Sequence, residues 1–188
     1  MRYVYTTMES VVGMLRLIAS DAGLTAILWE NDAPGRVRLS ESVELIELAD
    51  DVDHPVLGEA KRQLAGYFAG TLTAFTVPLD FHGTEFQKSV WAALITIPFG
   101  ETRSYSEIAR QIGRPGASRA VGAANGRNPI SIIAPCHRVI GASGALTGFA
   151  GGLEAKRVLL ELERVNPRSS LARSTTPAEA GAQSGRSM

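Results

Sequence analysis

Ser104-Tyr105-Ser106-Glu107-Ile108-Ala109-Arg110-Gln111-Ile112-Gly113-Arg114-Pro115-Gly116-Ala117-Ser118-Arg119-Ala120-Val121-Gly122-Ala123-Ala124-Asn125-Gly126 sets two short helical segments on either side of a turn. Its first four residues spell a capping box: a serine that accepts from the backbone three residues on, and a glutamate that reaches back. They open a short helix through Ile108, Ala109 and Ile112. Gly113-Arg114-Pro115-Gly116 then supplies a turn, and a second helix runs from Ala117 to Asn125, where Gly126 ends it. Two short helices across a glycine-bearing turn make a helix-turn-helix. Helical bundles that never touch DNA contain the same pattern, so alone it leaves both readings open.

The second helix has little side-chain bulk. Ala117, Ala120, Gly122, Ala123 and Ala124 keep its surface low, while Arg119 projects from the first turn. Gly122 costs a helix about 1 kcal/mol relative to alanine, so the low surface needs a reason. One is tight packing against a neighbouring helix. The other is close entry into a narrow groove, where a lone arginine can occupy the minor groove or the base stack.

Upstream, Thr84-Glu85-Phe86-Gln87 is another capping-box start, and Phe86, Val90, Ala93, Leu94 and Ile97 line one face of the helix that follows. Pro98 and Gly100 stop it. Downstream, the apolar run Ile130 to Pro135 leads into Pro135-Cys136-His137-Arg138-Val139, which holds the only cysteine. A lone cysteine in an apolar run usually just packs. A reactive one needs a base and a positively biased pocket, because at neutral pH a free thiol is only slightly ionised. The next residue is a histidine. Gly141 to Gly144 is a turn, and Thr147 to Gly152 is a glycine-dense loop. A closing helix from Leu153 to Glu163 turns Val158, Leu159 and Leu162 inward before Asn166-Pro167 ends it. Residues 168–188 are rich in Ser, Ala, Thr and Gly and read as a flexible tail.

The first third reads as strands. Gly13 to Ala19 and Leu24 to Trp29 flank the turn Ser20 to Gly23 in a hairpin pattern. An acidic helix is expected over Ser40 to Leu48 and another over Pro55 to Ala69, with Leu57, Ala60, Leu64 and Phe68 on one face. A strand, Ala74 to Leu79, closes the unit, and His54 and His82 read as surface histidines. The expected fold is α/β (α+β). A small N-terminal antiparallel-sheet scaffold spans 1–80, and a mostly helical, winged-helix-like domain with the helix-turn-helix spans 84–167.

Lysines and arginines equal aspartates and glutamates, 19 each. The balance is uneven: residues 1–83 hold 6 basic against 12 acidic side chains, and residues 84–165 hold 10 against 6. Arg103, Arg110, Arg114, Arg119 and Arg127 fall around the helix-turn-helix with Glu107 the single acid, as on a face meant for a polyanion. One cysteine excludes an internal disulfide and a cysteine-rich zinc cluster and fits a reducing compartment. No apolar stretch has the length of a signal-peptide core or a membrane span. The expectation is a soluble cytoplasmic protein without a metal site or cofactor.

Together, Phe99-Gly100-Glu101, Ser104-Tyr105, Ser118 to Gly122, Asn128-Pro129, the Pro-Cys-His-Arg-Val segment, Gly148 to Gly152 and the closing helix resemble the O6-alkylguanine-DNA alkyltransferase family, the methylated-DNA–protein-cysteine methyltransferases. The resemblance covers Thr84 to Glu163 in order, and the N-terminal part more loosely. It implies irreversible transfer of an alkyl group from guanine O6 in double-stranded DNA to Cys136. His137 would act as base through a water, Glu163 would orient the imidazole, Asn128 would brace the turn, and Tyr105 would bond to a flipped guanine. Arg119 would fill the gap that the flipped nucleotide leaves, with Ser118, Ala120, Gly122 and Ser104 against DNA. Val139, Phe149, Ala150 and Gly151 would shape the alkyl pocket. Phe149 stands where relatives commonly have Tyr, and Ala150 where some have Ser, which bears on the alkyl groups tolerated and not on the reaction.

The implied protein works mainly as a monomer, one chain per lesion. O4-alkylthymine as a second substrate and cooperative assembly along DNA stand as open alternatives beside it. Two other readings stand beside it: a non-catalytic lesion sensor on the same fold, and a cysteine hydrolase using Cys136 and His137.

Overall fold

Branched and aromatic side chains at the N-terminus make β1 (Tyr3–Met8), which pairs antiparallel with β2 (Leu15–Ala19). The computed structural model describes residues 2–39, 45–48 and 54–166. β2 pairs antiparallel with β3 (Leu24–Trp29), so the expected hairpin is present, closed by Ser20 N–H on Gly23 O at 3.0 Å. Gly23 is demanded by close approach, since a Cβ there would lie 2.7 Å from the Pro78 carbonyl oxygen.

Two expectations for this unit need correction. Leu45–Glu47, within the expected acidic helix, is a strand, β4, which adds parallel to β1 and makes the sheet mixed, in the order β3-β2-β1-β4. Residues 40–44 of that expected helix lie outside the described residues. Acids at positions 41, 44 and 47 suit a helix face equally well. The free edge of β1 decides, with Leu48 N–H donating to Tyr5 O at 2.9 Å. The expected strand over 74–79 is reduced to one bridge, Leu24 to Leu79. Pro78 has no N–H to offer a ladder, and the Gln63 side chain takes the Thr76 N–H at 2.8 Å instead.

Helix α1 (Pro55–Phe68) starts on His54, whose Nδ1 accepts from Leu57 N–H, so that histidine serves as a cap. The helix buries Leu57, Ala60, Gln63, Leu64 and Tyr67. His82 is exposed and pairs with Asp80. Both expected capping boxes are present, opening α2 (Glu85–Ile95) on Thr84 and α3 (Tyr105–Gln111) on Ser104. β5 (Arg103–Ser104) precedes α3 and pairs parallel with β6 (Val139–Ile140). Helix α4 (Ser118–Gly126) follows the turn as expected, tied to α2 by Trp91 Nε1–H on Ala124 O at 2.9 Å. Helix α5 (Gly152–Val165) closes the chain, and the expected tail lies outside the described residues.

Two apolar clusters hold these parts. One joins α2, α3 and α4 to Cys136 and Val139. The other gathers the first sheet and α1 with Ile130, Ile132, Ile133, Ala155 and Leu159 from the second half. Each fully buried Leu or Ile contributes about 1.5–3 kcal/mol, so the two halves are stabilised in common. Ile27 N–H donates to Pro129 O at 2.8 Å, which sets β3 against the turn leading to the cysteine.

Candidate active site

Asn128 builds the turn before the cysteine. Its buried side chain donates to Ala134 O at 2.7 Å and accepts from Ile130 N–H at 3.1 Å. The loop it clamps contains Ile132 at φ 74°, the one non-glycine residue with positive φ among those described. For a β-branched residue that is a strain of about 1–3 kcal/mol, held by packing in the cluster under the first sheet and α1.

The turn delivers Cys136 to the start of a 3-10 helix, Cys136–Arg138. The thiol is 2 % exposed, and Sγ reaches toward Ser131 Oγ at 3.9 Å. Burial pushes the thiol up; Asn128, Ser131 and the charges of Arg36 and Lys156 pull the other way without overcoming it. The expected positive bias is therefore present, yet the resting sulfur is protonated at neutral pH and must give its proton to a base.

His137 is fully buried, with Nε2 2.7 Å from Glu163 Oε1. A carboxylate at that distance assigns the proton to Nε2. Nδ1 is left as an acceptor, buried and without a partner among the described residues. Burial pushes the imidazole down, against the pull of Glu163. Glu163 sits at the hub. It accepts from Arg138 Nε at 2.9 Å and Nη2 at 3.0 Å, from Tyr67 Oη at 2.7 Å and from Gly100 N–H at 3.1 Å. Burial alone would raise its carboxyl; the bonds from His137 and Arg138 outweigh it and hold the group down to about 2. With the imidazole neutral, the charge that keeps Glu163 ionised is that of Arg138.

Beside these buried residues lies an open cleft of about 840 Å³, lined by Tyr105, Ser118, Arg119 and Gly122 of the helix-turn-helix and by Phe149 and Ala150 of the loop before α5. Tyr105 Oη and Thr147 Oγ1 bridge the two sides at 2.8 Å. Cys136 does not line the cleft. It lies behind, in the apolar cluster on which Tyr105 and Phe149 pack.

The structure thus brings together Cys136, His137, Glu163 and Asn128, with Tyr105, Phe149 and Ala150 in the cleft beside them. Val139 sits in the cysteine's cluster. Gly151 is outside the lining of this cleft, and a Cβ there would lie 2.6 Å from the Trp29 ring, so the loop packs closely on β3 at that point. Ser118, Arg119 and Gly122 face the cleft; Ala120 is exposed outside its lining, and the Ser104 hydroxyl is engaged in its capping box.

Three residues of the site were not singled out from sequence. Arg138 is buried and also donates to Ile97 O at 2.6 Å. Lys156 is wholly buried and donates to Val139 O at 2.6 Å and Thr147 O at 2.9 Å, holding the loop to the cysteine segment. Tyr67 comes from α1. Helical spacing carried a signal for two of them: Lys156 shares a face with Leu159 and Glu163, and Tyr67 one with Ala60 and Leu64.

A buried thiol, imidazole and carboxylate behind a helix-turn-helix cleft define a thiol-centred protein with a DNA-binding type of scaffold. Two family models match: "6-O-methylguanine DNA methyltransferase, ribonuclease-like domain" over residues 3–81 and "6-O-methylguanine DNA methyltransferase, DNA binding domain" over residues 85–165. A methylated-DNA–protein-cysteine methyltransferase of Mycolicibacterium paratuberculosis is 50% identical over 89% of this chain and 96% of its own. One from Methanosarcina acetivorans is 51% identical over 85% of this chain and 97% of its own. A crystal structure of Mycobacterium tuberculosis OGT in complex with DNA superposes with a TM-score of 0.75 at 50% identity, covering 88% of this chain and 94% of that one. The chain belongs to the 6-O-methylguanine DNA methyltransferase family.

Proposed function

We propose that the protein repairs O6-alkylguanine in double-stranded DNA by moving the alkyl group onto the Cys136 sulfur. What supports this is the buried His137–Glu163 pair with the Cys136 thiol one residue before it in the chain, beside a cleft lined by α4. The thiol proton passes through a water to His137 Nδ1, and Glu163 stabilises the imidazolium that results. The sulfur attacks the alkyl carbon in line, an S–C bond forms and the C–O6 bond breaks. The electron pair stays on the guanine, and Tyr105 leaves Thr147 to donate to the ring nitrogen that gains charge. A thioether has no route back to the thiol, so one chain repairs one lesion.

The target base has to leave the duplex to reach a sulfur this deep. Helix α4 suits the task. A Cβ at Gly122 would make only ordinary contact with the Tyr105 ring, at 3.7 Å, and nothing lies within 4 Å of one at Gly126. Internal packing therefore does not demand the low bulk, and the minor groove of DNA is what it accommodates. Exposed Arg119 enters the gap left by the flipped nucleotide.

The depth of Cys136 is the observation that favours the sensor reading instead. Cys136→Ser separates the two. Wild type is expected to remove lesions from O6-methylguanine duplex in a ratio of one per chain, whereas the variant binds and removes none. Equal lesion loss, or none with either protein, overturns the transfer reading.

A further inference from the structure

Resting on the alkyl-transfer reading, we propose that Tyr67, carried by α1 in the first half of the chain, is a positioning residue of the transfer centre: its hydroxyl holds the Glu163 oxygen that His137 bonds to, and so sets the orientation and proton affinity of the imidazole.

The geometry is specific. Tyr67 is completely buried, and its Oη donates to Glu163 Oε1 at 2.7 Å. His137 Nε2 lies 2.7 Å from the same oxygen and 3.5 Å from the Tyr67 hydroxyl. Three donors thus share one oxygen, because Arg138 Nη2 also donates to Oε1 at 3.0 Å. The other carboxylate oxygen is taken by Arg138 Nε and the Gly100 N–H. The phenol ring is fixed by Phe68, Phe75 and Phe99, whose centroids lie 5.4, 5.5 and 6.1 Å away. It cannot swing aside while the core is intact. Burial and the Glu163 charge both push its hydroxyl up, so it remains a donor at any working pH.

A donor on Oε1 withdraws charge that would otherwise favour the imidazolium. The charged groups around His137 are Glu163 and Lys156 on α5 and Arg138 beside it, with the Cys136 thiol adjacent. Of these only Glu163 raises the imidazole, and Tyr67 modulates that one acceptor. Without it, His137 holds its proton to higher pH, and a protonated imidazole cannot take the proton of the thiol.

The test is Tyr67→Phe in the full chain, which removes one oxygen and keeps the ring packing. Two readouts are needed. The first is the pH titration of His137 by nitrogen NMR, which requires no substrate and is simplified by a total of three histidines. The second is single-turnover methyl transfer from O6-methylguanine duplex across pH. The expected results are an upward shift of about one unit in the His137 titration, a matching shift of the acid limb of the rate profile, and a plateau rate lower by several-fold. In a Glu163→Gln background the same change should produce no further shift, because its route of action is gone. An unshifted titration overturns the proposal, as does a rate lowered equally at every pH. A shifted titration in a protein whose wild type transfers nothing upholds the Tyr67 contact and overturns the transfer reading instead.

Discussion

Glu163 is the residue on which most of the site depends. Replacing it with glutamine leaves Arg138 buried beside a neutral partner, which should destabilise the fold by about 3 kcal/mol, measurable by denaturant unfolding. The sign of the pH dependence follows from the same contacts. Glu163 is held down to about 2 from an ordinary 4.5. Its contribution is complete above the ordinary value and lost as pH falls toward the depressed one. His137, held below its usual 6.5, also favours the folded state only while neutral, so its contribution is lost as pH falls below 6.5. Wild-type stability should therefore begin to fall below about pH 6.5 and more steeply below 4.5. Glu163→Gln should lack the lower, steeper part. A variant curve parallel to wild type down to pH 3 would mean that the carboxylate is not coupled as the contacts indicate.

Among the elements, α4 and the loop before α5 make opposite kinds of prediction. Gly122→Ala gains helix propensity worth about 1 kcal/mol and meets no obstacle, so thermal stability should rise while affinity for duplex DNA falls several-fold. A rise in both would detach α4 from the DNA face. Gly151→Ala forces a Cβ to within 2.6 Å of the Trp29 ring. It should cost about 1–3 kcal/mol and displace Phe149, whose ring meets Trp29 edge-on at 5.3 Å. An unchanged melting temperature would contradict that packing. How far each element was legible follows from where its information lies. Thr84 and Ser104 carry their caps within four residues, so α2 and α3 could be read directly. β4 could not: its three residues are a strand only because the edge of β1 accepts them, a partner about 40 residues away. The tight fit at Gly151 could not be read either, because the ring that demands it is on β3, far off in the chain.

At the scale of the whole molecule, the two halves are not independent. One apolar cluster mixes residues of the sheet and α1 with Ile130, Ile132, Ile133 and Leu159, and the Arg36 guanidinium reaches the Asn128 carbonyl oxygen. Unfolding should therefore be a single transition, with calorimetric and van't Hoff enthalpies equal. Two resolved transitions would show that the shared core contributes little. The sequence carried the thiol, the imidazole and the carboxylate because all three lie in one half of the chain. It did not carry Tyr67, since a tyrosine on an apolar helix face is ordinary core until its partner is known. Along the surface, the arginines around the helix-turn-helix should make duplex binding fall steeply with salt and depend little on base sequence.

The most direct measurement is mass spectrometry of the proteolysed protein after incubation with duplex DNA carrying O6-methylguanine. One added methyl group is expected on the peptide containing Cys136, in proportion to the lesions lost. An unmodified Cys136 peptide alongside repaired DNA, or a methyl group on any other residue, would contradict it.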